Sequence, residues 1–344
     1  MAFFDLLDFD NHEQVIFCSD KSSGLKAIIA IHSTKLGAAV GGCRLWDYAN
    51  DEAALVDVLR LSKSMTYKNA MAGLKMGGGK SVIIGDPKTL KSTALFEAFG
   101  HALNNLNGRY LSAEDVNITT DDIAIANTIT PYVTGTVGKS GNPAPFTALG
   151  TFLGIKACVK HKFKRDDLTN LTVSVQGLGS VGYALCQHLH QAGAKLIVCD
   201  INPLTLDKAI AEFNATVVDL DDIYKQDADI YAPCALGATI NDETLKQLTV
   251  KIVAGCANNQ LAESRHDQAM VEQGILYAPD YVINAGGIIN VSFEENYDEK
   301  KSTLKVKEIY HTLLAVFIKA DQQNRPTGMI SDAIAREIIE NGGK

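Results

Sequence analysis

Apolar and polar positions follow two textures along this chain of 344 residues. Up to about residue 135 strands and helices are mixed. Lys26 to His32 (Lys-Ala-Ile-Ile-Ala-Ile-His) reads as a strand, and Glu52 to Thr66 places Leu55, Val58, Leu59, Leu61 and Met65 at helical spacing. Ser81 to Ile84 is a short apolar run closed by Gly85-Asp86-Pro87, which predicts a strand and a turn. Gly141-Asn142-Pro143-Ala144-Pro145 marks a turn or hinge, after which a helical pattern runs from Thr147 to about Lys160 and a solvated charge run from Lys162 to Asp167. The rest alternates helices with β-branched runs: Leu171 to Val175, Lys195 to Cys199, Ala215 to Val218, Asp229 to Ala232, Lys251 to Ala254 and Tyr281 to Ile283. Such βαβα alternation predicts a parallel, doubly wound sheet. The domain boundary is expected between residues 135 and 145.

Composition narrows the class. Lys plus Arg number 32 against 40 Asp plus Glu, a formal charge of -8, so no global positive field invites nucleic acid or acidic lipid. No stretch reaches the roughly 18 apolar residues of a membrane span, and the N-terminus (Met1, Ala2, Phe3, Phe4, Asp5) lacks the basic start of a secretory signal. A cytoplasmic protein with no membrane partner is expected. The seven cysteines are scattered without a C-x-x-C pair, and His188 and His190 point to different faces of a helix, so free thiols and no metal site are expected.

The run Leu171 to Gln176 leads into Gly177-Leu178-Gly179-Ser180-Val181-Gly182, a helix to Gln191, Gly193 as its cap, a second strand and Asp200. A G-x-G-x-x-G between strand and helix, in a unit that ends on an acid, is the fingerprint of a Rossmann-type dinucleotide site. Gly177 permits the tight turn, Gly179 lets backbone N–H groups approach a pyrophosphate, and Gly182 lets the helix lie close to the sheet. Asp200 would accept from a ribose and repel a 2′-phosphate, and Ile201, Asn202 and Pro203 offer no cation for one, which favours NAD over NADP. The cofactor set comprises Gly177, Gly179, Ser180, Val181, Gly182, Asp200 and Ala235.

Thr66-Tyr67-Lys68-Asn69-Ala70 precedes Gly77-Gly78-Gly79-Lys80-Ser81. A triphosphate loop fails on spacing, because Leu74 stands where a glycine is required and Gly73 is one residue too early. Alternatively, three glycines expose backbone around a lysine led into a cleft, where desolvation and neighbouring cations such as Lys68 and Lys75 make it a base. Lys75 either lowers the Lys80 pKa further or faces water, and the second is expected. Leu111-Ser112-Ala113-Glu114-Asp115-Val116-Asn117 adds two acids at a strand-to-loop junction.

Gly41-Gly42-Cys43-Arg44, Met65-Thr66-Tyr67-Lys68-Asn69-Ala70, Gly77-Gly78-Gly79-Lys80, Ala113-Glu114-Asp115-Val116, Ser140-Gly141-Asn142-Pro143 and Asn284-Ala285-Gly286-Gly287 resemble, in order, the signature segments of the glutamate/leucine/phenylalanine/valine dehydrogenase family. The N-terminal half is most similar to the leucine-specific members. The resemblance implies an α/β fold in two parts. An N-terminal α/β substrate and oligomerisation domain would span residues 1–135, with a C-terminal helix at 328–344 returning to it, and a Rossmann-type NAD domain residues 136–327. It implies that Lys68 binds the substrate α-carboxylate, Lys80 activates water, and Asp115 shuttles protons. Asn258 would hold the substrate or nicotinamide end, with Asn284 near it.

The implied reaction is NAD-dependent, reversible oxidative deamination of an L-amino acid to a 2-oxo acid and ammonia, in a homo-oligomer. Family positions for the side-chain pocket fall on Val40, Ala113, Ile288 and Val291, all apolar, and Gly41 joins the substrate set. Glutamate-specific members carry lysine at the position of Val40, and phenylalanine enzymes tend to have glycine at that of Ala113. A branched aliphatic substrate is therefore expected, with an aromatic amino acid as the alternative and a catalytically idle NAD-sensing protein as the remote one. Plain core packing would explain the four apolar residues equally well. The C-terminus, Asn341-Gly342-Gly343-Lys344, is short in a region that helps family members assemble, which leaves the subunit count open.

Overall fold

A computed structural model describes residues 4, 6, 8–135 and 142–343. Residues 140 and 141 of the Ser140-Gly141-Asn142-Pro143 signature and of the hinge lie outside the described residues, as do Met1, Ala2, Phe3, Asp5 and Lys344. The chain divides into two compact units: Met1–Gly141 with Val291–Tyr297 and Ala335–Lys344, and Asn142–Asn290 with Asp298–Ile334.

The first unit contains β1 (Gln14–Asp20), β2 (Leu25–Ser33), β3 (Ala39–Trp46), α1 (Asp51–Met71), β4 (Gly77–Ile84), α2 (Thr93–Asn104), β5 (Tyr110–Glu114) and α3 (Thr120–Asn127). Its sheet runs β1-β2-β4-β3-β5, with β3, β4 and β5 mutually parallel and β1 and β2 antiparallel to their neighbours. Strand periodicity sends alternate residues to opposite faces, and both faces are covered. On β2, Leu25, Ala27, Ile29 and Ile31 enter the core with Phe96, Phe99 and Ile123 of α2 and α3. Ile28 and Ala30 enter the core with Ala54, Leu55, Val58 and Leu59 of α1. Helix α1 starts where the Asn50 side chain accepts from Ala53 N at 2.8 Å, and it runs five residues beyond the predicted end at Thr66, so Lys68 lies within it.

Strand β4 begins at Gly77, four residues before the predicted start. The triple glycine is therefore buried sheet and not exposed backbone, and packing is the cause. A Cβ on Gly78 would fall 2.0 Å from Thr66 N of α1, and one on Gly79 would fall 2.7 Å from the Tyr110 ring on the other face.

The second unit contains α4 (Ala144–Phe163), β6 (Thr172–Gln176), α5 (Ser180–Gln191), β7 (Lys195–Cys199), α6 (Pro203–Phe213), β8 (Thr216–Val217), β9 (Ile230–Pro233), α7 (Asp242–Leu245), β10 (Ile252–Val253), α8 (Arg265–Glu272), β11 (Leu276–Tyr277), α9 (Asp280–Ile283), α10 (Gly286–Val291), α11 (Glu299–Gln323) and α12 (Thr327–Glu340). The last residue of α10 and the last six of α12 belong to the first unit. The sheet is parallel throughout, in the order β11-β10-β9-β6-β7-β8. This is the doubly wound arrangement whose strand order reverses between β6 and β9.

The sixth strand is not Tyr281 to Ile283, as the β-branched run predicts; those residues form α9, and β11 takes the sheet edge. Tertiary burial overrides local propensity here. Ile283 fits against a glycine face of α4, where a Cβ on Gly154 would fall 2.4 Å from Ile283 Cγ1. Among the described residues no helix is long and apolar enough to cross a membrane. All seven cysteines are free, four buried and three half-buried.

Candidate active site

Lys80 lies in the middle of β4 and is 6% exposed. A buried ammonium needs a partner, and it forms an ion pair with Asp115 Oδ2, immediately after β5. Arg44 on β3 approaches the same oxygen with Nε at 3.8 Å. Its guanidinium is held from behind by Asp57 of α1, whose Oδ2 lies 3.0 Å from Arg44 Nη1 and accepts from the Tyr48 hydroxyl at 2.6 Å. Burial pushes the Asp115 carboxyl up, but the Lys80 ammonium and Arg44 guanidinium together outweigh it and hold the group below its ordinary value. Glu114 beside it is pushed up by burial and then by the Asp115 charge. The junction depends on Gly42, because a Cβ there would fall 2.5 Å from Glu114 O and 2.8 Å from Asp115 Cβ.

Lys68 is buried in the last turn of α1. Its neighbours fasten that turn to the strand that carries Lys80. Thr66 Oγ1 lies 3.4 Å from Gly78 O and 2.8 Å from His32 Nδ1, and Asn69 Nδ2 donates to Gly77 O at 2.6 Å. Val40 is buried on β3, opposite Gly78 and Leu111 in register. Gly41 lies so close to β4 that a Cβ would meet Gly79 O at 1.8 Å. Ala113 is half-buried on β5. Val291, also half-buried, opens the segment 291–297 of the same unit. Glu294 anchors that segment, accepting from Thr134 Oγ1 at 2.6 Å and from Gly135 N at 2.9 Å. Sequence reasoning missed Arg44, Asp57, Tyr48 and Glu294 as supporting groups. Arg44 is visible in the Gly41-Gly42-Cys43-Arg44 segment, whereas its pairing across three elements carries no local signal.

In the second unit the glycine fingerprint sits at the strand-order reversal. Gly177 has φ +97°, and a Cβ there would meet Ala235 Cβ at 2.6 Å, which brings the loops after β6 and β9 together. A Cβ on Gly182 would fall 2.1 Å from Gly177 O, so this glycine lets α5 approach the turn. Gly179 is different: among the described residues a Cβ there meets nothing within 4 Å and no side chain caps α5, so its first N–H groups are available to an anion. Ser180 is exposed and Val181 half-buried in that first turn. Asp200 closes β7, accepting from Leu178 N through Oδ2 at 2.5 Å and from Asn202 N through Oδ1 at 2.8 Å. It therefore shapes the glycine turn, with acceptor capacity left on both oxygens. After β10, Asn258 Oδ1 accepts from Asn284 Nδ2 at 2.7 Å, and the buried Asn284 Oδ1 has no hydrogen-bond partner among the described residues. Ile288 is half-buried on α10 of this unit. The open face at Gly179, the uncapped helix and the spare Asn284 acceptor fit a dinucleotide whose diphosphate and carboxamide need those contacts.

A doubly wound sheet with a dinucleotide fingerprint, joined to an α/β unit that holds a lysine–aspartate pair, is the build of an oxidoreductase that uses a nicotinamide cofactor. The sequence pattern of the Glu/Leu/Phe/Val dehydrogenase dimerisation domain matches residues 12–137, and that of the Glutamate/Leucine/Phenylalanine/Valine dehydrogenase domain matches residues 204–325. The leucine dehydrogenase of Bacillus subtilis (strain 168) is 53% identical over 344 residues, 99% of this chain and 94% of that protein. The phenylalanine dehydrogenase of Lysinibacillus sphaericus is 49% identical over 90% of this chain and 84% of its own length. The crystal structure of L-tryptophan dehydrogenase from Nostoc punctiforme superposes with a TM-score of 0.84 at 47% identity, covering 97% of each chain. The chain belongs to the glutamate/leucine/phenylalanine/valine dehydrogenase family and is an amino acid dehydrogenase.

Proposed function

We propose that the enzyme catalyses the NAD-dependent, reversible oxidative deamination of a branched-chain L-amino acid (leucine, valine or isoleucine) to the 2-oxo acid and ammonia. The observation that carries this reading is the contact between Lys80 and Asp115 in the unit that also presents Val40 and Ala113. Gly177, Gly179, Gly182, Asp200 and Asn284 of the second unit would hold a nicotinamide dinucleotide, which when bound would supply the acceptor for the hydride leaving Cα. Lys68 pairs with the substrate carboxylate. Once the Lys80 ammonium has given its proton to the Asp115 carboxylate in contact with it, neutral Lys80 takes a proton from the water that adds to the resulting iminium, and protonated Asp115 passes its proton to the departing amine. The overall change is amino acid plus water plus oxidised cofactor to 2-oxo acid, ammonium, reduced cofactor and a proton.

We assign recognition of the substrate side chain to Val40, Ala113 and Val291 of the first unit and to Ile288 of the second. A substrate γ-carboxylate buried there without a partner would cost several kcal/mol, which argues against glutamate. The carboxylate of Asp200 supports NAD, because a 2′-phosphate beside it meets like charge and no compensating cation on Ile201, Asn202 or Pro203. Similarity to tryptophan and phenylalanine dehydrogenases favours the second reading, an aromatic substrate. A panel of L-leucine, L-valine, L-isoleucine, L-phenylalanine, L-tryptophan and L-glutamate, run with NAD and with NADP, decides between them. The expected result is the highest kcat/KM for an aliphatic substrate with NAD. Preference for a ring overturns the pocket assignment, and no turnover with any amino acid overturns the whole proposal.

A further inference from the structure

The proposed reaction needs Asp115 ionised in its buried position, ready to take up a proton, and held against Lys80. One cation in contact does part of this, and a second stands beside it. Arg44 Nε is buried, 3.8 Å from Asp115 Oδ2, and has no hydrogen-bond partner among the described residues. At that distance it acts through charge. Its other end is fixed, because Asp57 takes Nη1 at 3.0 Å and is itself held by the Tyr48 hydroxyl at 2.6 Å. In the sheet Arg44 pairs with Val82 on β4, two residues from Lys80 and on the same parity, so both side chains leave the face that α1 covers.

We propose that Arg44, clamped by Asp57 and Tyr48, is a positioning residue for the reaction: its fixed positive charge keeps Asp115 a carboxylate aimed at Lys80. This rests on the function proposed above. The charged groups facing Asp115 are Lys80 from β4, Arg44 from β3 with Asp57 of α1 behind it, and Glu114 beside it on β5. Removing Arg44 leaves the Lys80–Asp115 pair with one stabilising cation fewer, so the pair as a unit keeps its proton to higher pH. Removing the negative charge of Asp57 leaves the guanidinium less neutralised and shifts the pair in the opposite sense. Opposite shifts from two neighbouring substitutions are a signature that mere loss of packing does not produce.

The test compares wild type with Arg44→Gln, Arg44→Lys and Asp57→Asn. It uses the pH dependence of kcat/KM for L-leucine oxidation and, independently of turnover, NMR titration of the Asp115 carboxyl carbon, assigned by its loss in Asp115→Asn. Arg44→Gln is expected to move both titrations up by about one pH unit, with kcat falling more than KM rises. Arg44→Lys should restore most of the shift, and Asp57→Asn should move both down. Titrations in Arg44→Gln that superimpose on wild type, or shifts of the same sign in Arg44→Gln and Asp57→Asn, overturn the inference while the proposed function stands. Absence of any amino acid turnover in wild type overturns the function, and with it the role assigned to Arg44.

Discussion

Replacing Gly78 by alanine tests whether the last turn of α1 must lie directly on β4. Gly78 has no positive φ, so alanine meets no backbone strain there and the effect is steric. The added Cβ would stand 2.0 Å from Thr66 N and 2.4 Å from Thr66 Cα, whereas real Cβ contacts essentially never fall under 3.0 Å. The obstacle is helix backbone, which cannot rotate aside, so α1 and β4 must separate by about 1 Å or more. Overpacking of this kind costs about 1–3 kcal/mol. The Thr66 contacts to Gly78 O and His32 open at the same time, at about 1 kcal/mol for each hydrogen bond lost. A 1 Å misplacement of a group that positions substrate costs on the order of 100-fold in rate. Lys68 follows Thr66 by two residues and moves with the turn. Gly78→Ala should therefore lower kcat/KM for L-leucine about 100-fold and lower the unfolding temperature by several degrees. Dinucleotide affinity, measured by fluorescence titration, should be unchanged because its residues lie in the other unit. A variant with wild-type kcat/KM and unfolding temperature would refute the coupling of glycine packing to Lys68.

Other outcomes follow from the same geometry. Ala113→Gly removes a half-buried methyl group from the proposed pocket and should raise the phenylalanine-to-leucine ratio of kcat/KM about tenfold; an unchanged ratio removes Ala113 from the pocket. Asp267, buried on α8 against the start of α12, has its carboxyl pushed up to about 6 by burial, against backbone N–H groups of Met329 and Gly328 that favour the charged form. A carboxyl raised above its unfolded value stabilises the fold fully below that value and loses the contribution as pH rises through the folded one. The rise from 3.8 to about 6 corresponds to about 3 kcal/mol. Stability measured by denaturant should thus fall between about pH 4 and 6 by up to that amount through this group, and Asp267→Asn should flatten the slope; an identical pH profile in the variant would disprove it. Asp200→Ser should relax the preference for NAD, read as a rise of at least tenfold in the NADP-to-NAD ratio of kcat/KM, and an unaltered ratio would place coenzyme choice elsewhere.

What the sequence made legible was local. The fingerprint from Gly177 to Gly182 and its closing Asp200 could be assigned because turn, helix start and acid follow one another within a single βαβ unit. Glu114 and Asp115 were legible together as two acids at the end of a strand, and only the family resemblance singled out Asp115. The glycines at 77–79 were misleading, since glycine marks both exposed turns and tight packing, and only the approach of α1 and Tyr110 tells which. Tyr281 to Ile283 is too short for periodicity to separate helix from strand, and the glycine face of α4 decided it. The clamp on Arg44 joins β3, α1 and the segment between them, so no local pattern announces it.

We propose that Lys80, paired with Asp115, carries the chemistry. The most direct measurement is the rate of reduced-nicotinamide formation from saturating L-leucine by wild type and Lys80→Ala, with dinucleotide affinity measured on the same preparations. The prediction is turnover by wild type and a loss of at least about 1000-fold in Lys80→Ala, with dinucleotide affinity retained. A Lys80→Ala enzyme that deaminates leucine at the wild-type rate would contradict it.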